Sequence, residues 1–290
     1  MALSHLVRAA NIVIANDDGW AEMNIRTLQS TLTKAGEHVV ISAPATDQSG
    51  AGSSEGIPKI LKSPCEYNSC PTGSPPTGHN TTDYKLNYIN SFPATSMHYG
   101  IQSLGPKHFN GSLPDIALSG FNVGENTGMK NYFSGTIAAA CKAAKLGIPA
   151  IAFHGSTGSR TAWNNPVPPY ASIYADLATN LTQVVLKSGS PLLPRGVYLN
   201  VNMPKISESC SKTSDFKFVL TRLHNAFMSP DDVETCGKKR LPTERRVSGG
   251  KGCHISVSVG DGSTKGDSYA GQAPVLAKLK GLLSCLPKKS

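Results

Sequence analysis

The chain has 290 residues, 39% of them hydrophobic and 16% charged, the balance of a globular protein with a substantial core. It contains no run of about 18 apolar residues, so no membrane span is expected. The formal charge of +9 favours anionic partners, but the basic residues are scattered and form no aromatic-interleaved stripe. A stable nucleic-acid complex is therefore not expected, whereas a phosphate-bearing small substrate fits.

An apolar run, Ile12–Ala15, reads as a first buried strand and ends in Asn16-Asp17-Asp18-Gly19. Residues 22–35 carry Ile25, Leu28, Leu32 and Ala35 at helical spacing before Gly36 stops them. "HVVIS" (38–42) is a second strand. The stretch from about 45 to 91 is rich in Ser, Gly, Pro and Thr and reads as an irregular, functional insertion. Alternation then resumes with a helix over 95–105, a strand over 115–120, and a turn-rich loop "FNVGENTG" (121–128). A helix follows over 134–147, then a strand over 149–155 and a helix over 170–187.

Strand and helix alternating at this spacing predict a doubly wound, mostly parallel α/β sheet of Rossmann-like type. Residues 1–190 form this core. Three further strands, 197–204, 217–223 and 254–260, make residues 191–290 a β-rich C-terminal extension of the same domain. It either continues the sheet or projects as an arm.

Seven cysteines occur. Their spacing does not suit a zinc site, and six of them lie in loops or near the terminus. The expected pairs are Cys65–Cys70, Cys210–Cys236 and Cys253–Cys285, with Cys141 a buried free thiol in an Ala-rich helix. Disulfides favour an oxidising compartment, so the protein is expected to be secreted, a cytoplasmic protein with reduced thiols being the alternative. The first ten residues, MALSHLVRAA, lack a signal-peptide core, which places any leader before them. Asn80, Asn110 and Asn180 begin glycosylation sequons, which are surface-loop expectations only.

In an open α/β sheet, ligands bind outside the carboxyl ends of the strands. Four polar clusters fall there: Asn16-Asp17-Asp18, Asp47–Gly50, Ser119–Asn122, and the Ser134-Gly135-Thr136 helix start. Alone, Asp-Asp-Gly is an ordinary solvated turn, and Ser-Gly-Thr an ordinary helix cap. Together they bring hard oxygen donors suited to Mg²⁺, Mn²⁺ or Ca²⁺ next to an anion-binding helix end. That pairing is what phosphate-ester hydrolysis needs.

Two other motifs compete. Gly50-Ala51-Gly52 begins like a dinucleotide fingerprint, but its next glycine is misplaced and Pro58 follows. Gly52-Ser53-Ser54-Glu55-Gly56 matches a serine-hydrolase elbow with Ser54 as nucleophile and His224 or His254 as base, although "IPKILKSP" is a poor following helix. A catalytically silent nucleotide- or carbohydrate-binding module is the third possibility.

The ordered set NDDG (16–19), SG (49–50), FPATS (92–96), SGFNVGEN (119–126), SGTIAAA (134–140), PAIAFHG (149–155) and LNVNMP (199–204) resembles the SurE family of survival-protein nucleotidases and acid phosphatases. The resemblance implies a homodimer or higher homo-oligomer that hydrolyses nucleoside monophosphates or similar phosphomonoesters with a divalent cation, Mg²⁺ or Mn²⁺. It implies that Asp17, Asp18, Ser49 and Asn122 hold the metal, with Asp17, Asp18 and Asn122 catalytic. It further implies that Asn126, Ser134, Gly135 and Thr136 line the phosphate site. Asn16 would orient the carboxylates, and Asp17 would position or activate the attacking water. Residues 57–91 and "KGDSYAGQAPVLAKL" depart from the bacterial pattern, and with the cysteines they resemble the family's fungal secreted branch.

Overall fold

Strands that are apolar on both faces need a cover on both sides, which a parallel sheet with crossover helices supplies. A computed structural model of the protein describes residues 8–287; the first seven residues, which belong to the leader question, lie outside them. Its nine strands are β1 (Asn11–Ala15), β2 (His38–Pro44), β3 (Thr77–His79), β4 (Leu86–Ile89), β5 (Ile116–Val123), β6 (Ala150–Gly155), β7 (Val197–Met203), β8 (Lys217–Thr221) and β9 (His254–Asp261). They form one sheet in the order β3-β4-β2-β1-β5-β6-β7-β9-β8. From β4 to β7 all neighbours run parallel.

The helices are α1 (Met23–Lys34), α2 (Pro93–Tyr99), α3 (Gly105–His108), α4 (Lys130–Phe133), α5 (Gly135–Lys145), α6 (Pro169–Lys187), α7 (Glu244–Ser248) and α8 (Tyr269–Leu279). The two-residue period of β1 sorts them into layers. Ile12 and Ile14 pack with Ile25 and Leu28 of α1, Leu177 and Leu181 of α6, and Val275 of α8. Val13 and Ala15 pack on the other face with Met97 of α2 and the alanines of α5. The sheet is thus doubly wound, as the alternation predicts.

The structure refines the sequence reading at several points. The insertion is not wholly irregular, because β4 pairs with β2 and β3 caps that edge in antiparallel sense. Strand β5 runs on through Phe121 and Asn122, past a register shift against β6, so the predicted loop begins later. The C-terminal strands extend the sheet, with β9 antiparallel to β7 and β8 parallel to β9. Helix α8 escaped the pattern because Gly271 and Pro274 interrupt its helical signal. The Asn180 sequon lies inside α6, not in a loop.

The disulfides are Cys65–Cys70, Cys210–Cys253 and Cys236–Cys285, with Cys141 free and buried. The first pair and the free thiol match expectation; the other two pairings do not. The reason is topological. Parallel pairing of β8 with β9 aligns Lys217 with His254, so the segments leading into both strands, carrying Cys210 and Cys253, meet. After α8 the chain returns beside β8, where Leu283 bridges Phe218, and brings Cys285 to the loop holding Cys236. Peptide mapping without reductant is expected to recover these pairs; recovery of Cys210 with Cys236 would contradict the topology. Replacing Cys210 and Cys253 by serine should lower stability by up to about 4 kcal/mol in urea denaturation, given their separation of 43 residues.

Candidate active site

The site begins where β1 ends. Asn16 closes the turn: its side-chain amide donates to the Gly19 carbonyl at 2.9 Å, and its Oδ1 accepts the Gly19 N–H at 3.2 Å. Gly19 has φ +108°, the left-handed region that favours glycine. Asn16 therefore shapes the loop that presents the carboxylates and makes no hydrogen bond to them among the described residues. Asp17 and Asp18 are 3% and 2% exposed.

Each carboxylate is held by a different neighbouring element. Thr136 of α5 donates its hydroxyl to Asp17 Oδ1 at 2.5 Å and its backbone N–H to Oδ2 at 3.2 Å. The N–H of Val123, at the end of β5, donates to Asp18 Oδ2 at 3.0 Å. The Asp17 carbonyl accepts the Gln48 N–H at 2.7 Å, which ties the loop after β2 to the same point. Among the described residues, neither carboxylate has a basic partner within 4 Å. Arg160 pairs instead with Asp47 and lies 3.9 Å from Glu66. Burial raises both aspartates above the usual carboxylate range, and Asp18, with the Asp17 charge beside it, reaches about 9.

Asn122 donates both amide hydrogens to its own turn, to the Val123 carbonyl at 3.1 Å and the Gly124 carbonyl at 2.7 Å. Its Oδ1 lies 3.5 Å from the Thr136 hydroxyl, next to Asp17. Ser49 is exposed and donates its hydroxyl to Asp47 at 2.6 Å. A cleft of about 880 Å³ gathers Asp17, Ser49, Asn122, Asn126 and Ser134. Asp18, Gly135 and Thr136 sit behind its wall.

The helix start works differently from the sequence reading. Ser134 caps α5 by accepting the Ile137 N–H at 3.1 Å. Thr136 directs both donors at Asp17 and is fully buried. The positive end of α5 thus faces the Asp17 carboxylate through Thr136. Gly135 allows this approach, since a Cβ there would lie 2.8 Å from the Asp17 Cβ and 2.9 Å from the Pro93 ring. Ser134 remains on the cleft wall.

Asn126 is held on every side. Its N–H donates to Asn202 Oδ1 at 2.9 Å, and its carbonyl accepts the side-chain amides of Asn200 and Asn202 at 3.2 and 3.0 Å. Its side-chain nitrogen lies 2.8 Å from His154 Nδ1, and His154 Nε2 lies 2.9 Å from Asn200 Oδ1. Burial lowers His154 to about 3, so the ring is neutral. An amide donating to Nδ1 then places the ring proton on Nε2, facing Asn200. Sequence reasoning did not single out His154, Asn200 or Asn202. Their signal was there: polar side chains recurring inside otherwise apolar strands. Lys130, Phe133, Lys205, Ser207, Ser248, Gly249, Gly250 and Gly252 also line the cleft and were missed. The Cys210–Cys253 bridge joins two of those wall segments.

Ser54 sits in a turn, its N–H on the Ala51 carbonyl, with no strand before it and no helix after it. No described hydrogen bond links it to His224, which stacks on Tyr132, or to His254. The serine-hydrolase elbow is therefore absent, as is the helix a dinucleotide loop requires after Gly52.

The family model described as Survival protein SurE matches residues 12–229. The chain belongs to the SurE family. It is 32% identical to an acid phosphatase of Yarrowia lipolytica over 286 residues, covering 86% of this chain and 78% of that protein. It is 34% identical to the 5′-nucleotidase SurE of Lawsonia intracellularis over 197 residues, covering 68% of this chain and 67% of that one. The crystal structure of the SurE protein from Aquifex aeolicus shares the fold, with TM-score 0.61 and 24% identity over 92% of this chain and 98% of that one.

In this SurE chain a cation would have to be held by few carboxylates. Among the described residues no group of three or more His, Cys, Asp and Glu could hold a metal. Two buried carboxylates without a basic partner within 4 Å among the described residues, the Asn122 Oδ1 and the Ser49 hydroxyl still make a hard oxygen set, whose chemistry fits Mg²⁺ or Mn²⁺.

Without metal the aspartates should weaken the fold as pH rises. A carboxyl raised in the folded state keeps a proton that the unfolded chain loses above about pH 4. Stability is then full below about pH 4 and falls as pH rises toward about 9. Asp18→Asn should flatten that slope and raise the Tm in EDTA at pH 8; thermal melts across pH check it, and a lowered Tm would contradict it.

Proposed function

We propose that this chain is a divalent-cation-dependent phosphomonoesterase acting on nucleoside monophosphates or similar phosphomonoesters. Relatives named acid phosphatase and 5′-nucleotidase share one reaction class, phosphoric monoester hydrolysis, and the chain belongs in that class. The observation that carries the metal-dependent reading is the buried Asp17-Asp18 pair, held by Thr136 and Val123, lacking a basic partner and reaching a polar cleft through Asp17.

Asp17, Asp18 and Asn122 are the residues placed to hold the cation, with Ser49 across the cleft. When bound, Mg²⁺ or Mn²⁺ would neutralise the carboxylates and polarise the phosphoryl group. The protein groups have their own tasks. Thr136 fixes both oxygens of Asp17, which orients that carboxylate toward the cleft, where it positions the attacking water. Ser134 and Asn126 line the wall that receives the phosphate, and Lys130 and Lys205 give the cleft cations that attract an anionic ester.

Three disulfides support a secreted protein. No helix of the described residues is long and apolar enough to cross a membrane. A homodimer or higher homo-oligomer completes the proposal, with light scattering as its check.

The purified protein with Mn²⁺ or Mg²⁺ should release inorganic phosphate from nucleoside monophosphates and p-nitrophenyl phosphate. EDTA should abolish release, and Mn²⁺ should restore it. Asp17→Asn should lower kcat at least about a hundredfold, because it disturbs the geometry of the reacting groups. If no phosphoester in such a panel is hydrolysed with any metal while nucleotide still binds, the chain is a silent binding module instead.

A further inference from the structure

Helix α7 places one carboxylate deep in the wall of the cleft. Glu244 is fully buried and, among the described residues, has no basic partner within 4 Å. Four donors surround it instead. The Gly128 N–H and the Asn131 side-chain amide donate to Oε1 at 2.9 and 2.8 Å. The Asn200 side-chain amide and the Ser258 hydroxyl donate to Oε2 at 2.8 and 3.2 Å. Burial pushes the carboxyl up to about 8 against the pull of these donors.

These donors come from places that matter to the cleft. Gly128 and Asn131 flank the turn that leads through α4 to Ser134. Asn200 uses its amide hydrogens on both Glu244 and the Asn126 carbonyl, and its Oδ1 faces His154, the partner of the Asn126 side chain. One carboxylate therefore touches Gly128 and Asn131 and sets which way the Asn200 amide, itself bonded to the Asn126 carbonyl, faces. That orientation in turn fixes His154 and the Asn126 side chain. A buried carboxylate left without these donors would be costly, so the arrangement holds in one state.

We propose that Glu244 is the positioning residue that fixes the Asn126–Ser134 segment at the cleft wall. The role at the cleft rests on the phosphomonoesterase reading above; the ordering of the segment does not. Glu244 touches neither Asp17 nor Asp18 among the described hydrogen bonds, so its effect is confined to the phosphate side of the cleft.

Glu244→Gln tests this. The substitution replaces one acceptor oxygen by an N–H₂ group, which must then face either the Gly128 and Asn131 donors or those of Asn200 and Ser258. Hydrogen exchange should become at least about tenfold faster at the Asn126 and Gly128 amides, and kcat/KM for p-nitrophenyl phosphate should fall about tenfold, mostly through KM. The Mn²⁺ dissociation constant should stay within about twofold of wild type, which a general loosening of the fold would not allow. Should Glu244→Gln fail to fold, Asn131→Ala removes one link and should move exchange and KM in the same direction by less.

Wild-type exchange in a folded variant overturns the proposal. So does faster exchange with unchanged kcat/KM, which would make Glu244 a structural prop only. A Mn²⁺ affinity falling in step with activity also overturns it. If the wild-type protein neither binds Mn²⁺ nor hydrolyses phosphoesters, the phosphomonoesterase reading fails, and exchange alone then decides whether Glu244 orders the segment.

Discussion

Two carboxyl groups sit side by side at the buried end of β1, and the rest of the site is arranged around them. Taking carboxylates out of water beside one another is unfavourable unless donors or a cation compensate. The fold supplies donors first: the N-terminal turn of α5 for Asp17 and the end of β5 for Asp18. This requirement reaches into the packing. α5 can come close only because residue 135 is glycine, and the strand carrying Asn122 can pass β6 only because residue 120 is glycine, where a Cβ would collide with the Phe153 carbonyl. The donors do not offset the burial, which still holds both carboxyls above their usual range, and Asp17 reaches the cleft.

The carboxyl ends of the parallel strands each contribute something different to that cleft. β1 supplies the acids, β2 the Ser49 loop, β5 Asn122 and, beyond it, Asn126, and β6 and β7 the buried polar residues that hold Asn126. The C-terminal third completes the enclosure. β9 inserts between β7 and β8, the Cys210–Cys253 bridge clips two wall segments together, and α7 sends Glu244 inward. The sheet extension is therefore part of the site's architecture and not an appendage to it.

Much of this was legible in the chain. Asn16–Gly19 and Ser119–Asn122 each lie at the end of an apolar run, and Ser134–Thr136 opens the helix after the following loop, so the doubly wound alternation alone brings them to one edge. What was not legible depends on contacts between distant segments. That the Thr136 hydroxyl reaches Asp17 is one such contact. Glu244 lies 116 residues from Gly128 on a five-residue helix with no periodicity of its own. The pairing of Cys210 with Cys253 follows from β8 running parallel to β9, which no spacing of cysteines encodes. Helix α8 carries a glycine and a proline and forms through packing on α6 and β9, a case of tertiary context overriding local propensity.

We propose that the Asp17-Asp18 pair is a preformed cation site. A crystal grown with Mn²⁺ and measured for its anomalous signal tests this directly. A single strong peak within coordination distance of the Asp17 and Asp18 carboxylates and Asn122 Oδ1, with the Thr136 and Val123 contacts intact, is the predicted result. A map with no peak there at saturating Mn²⁺, or a peak held by other residues, would contradict it.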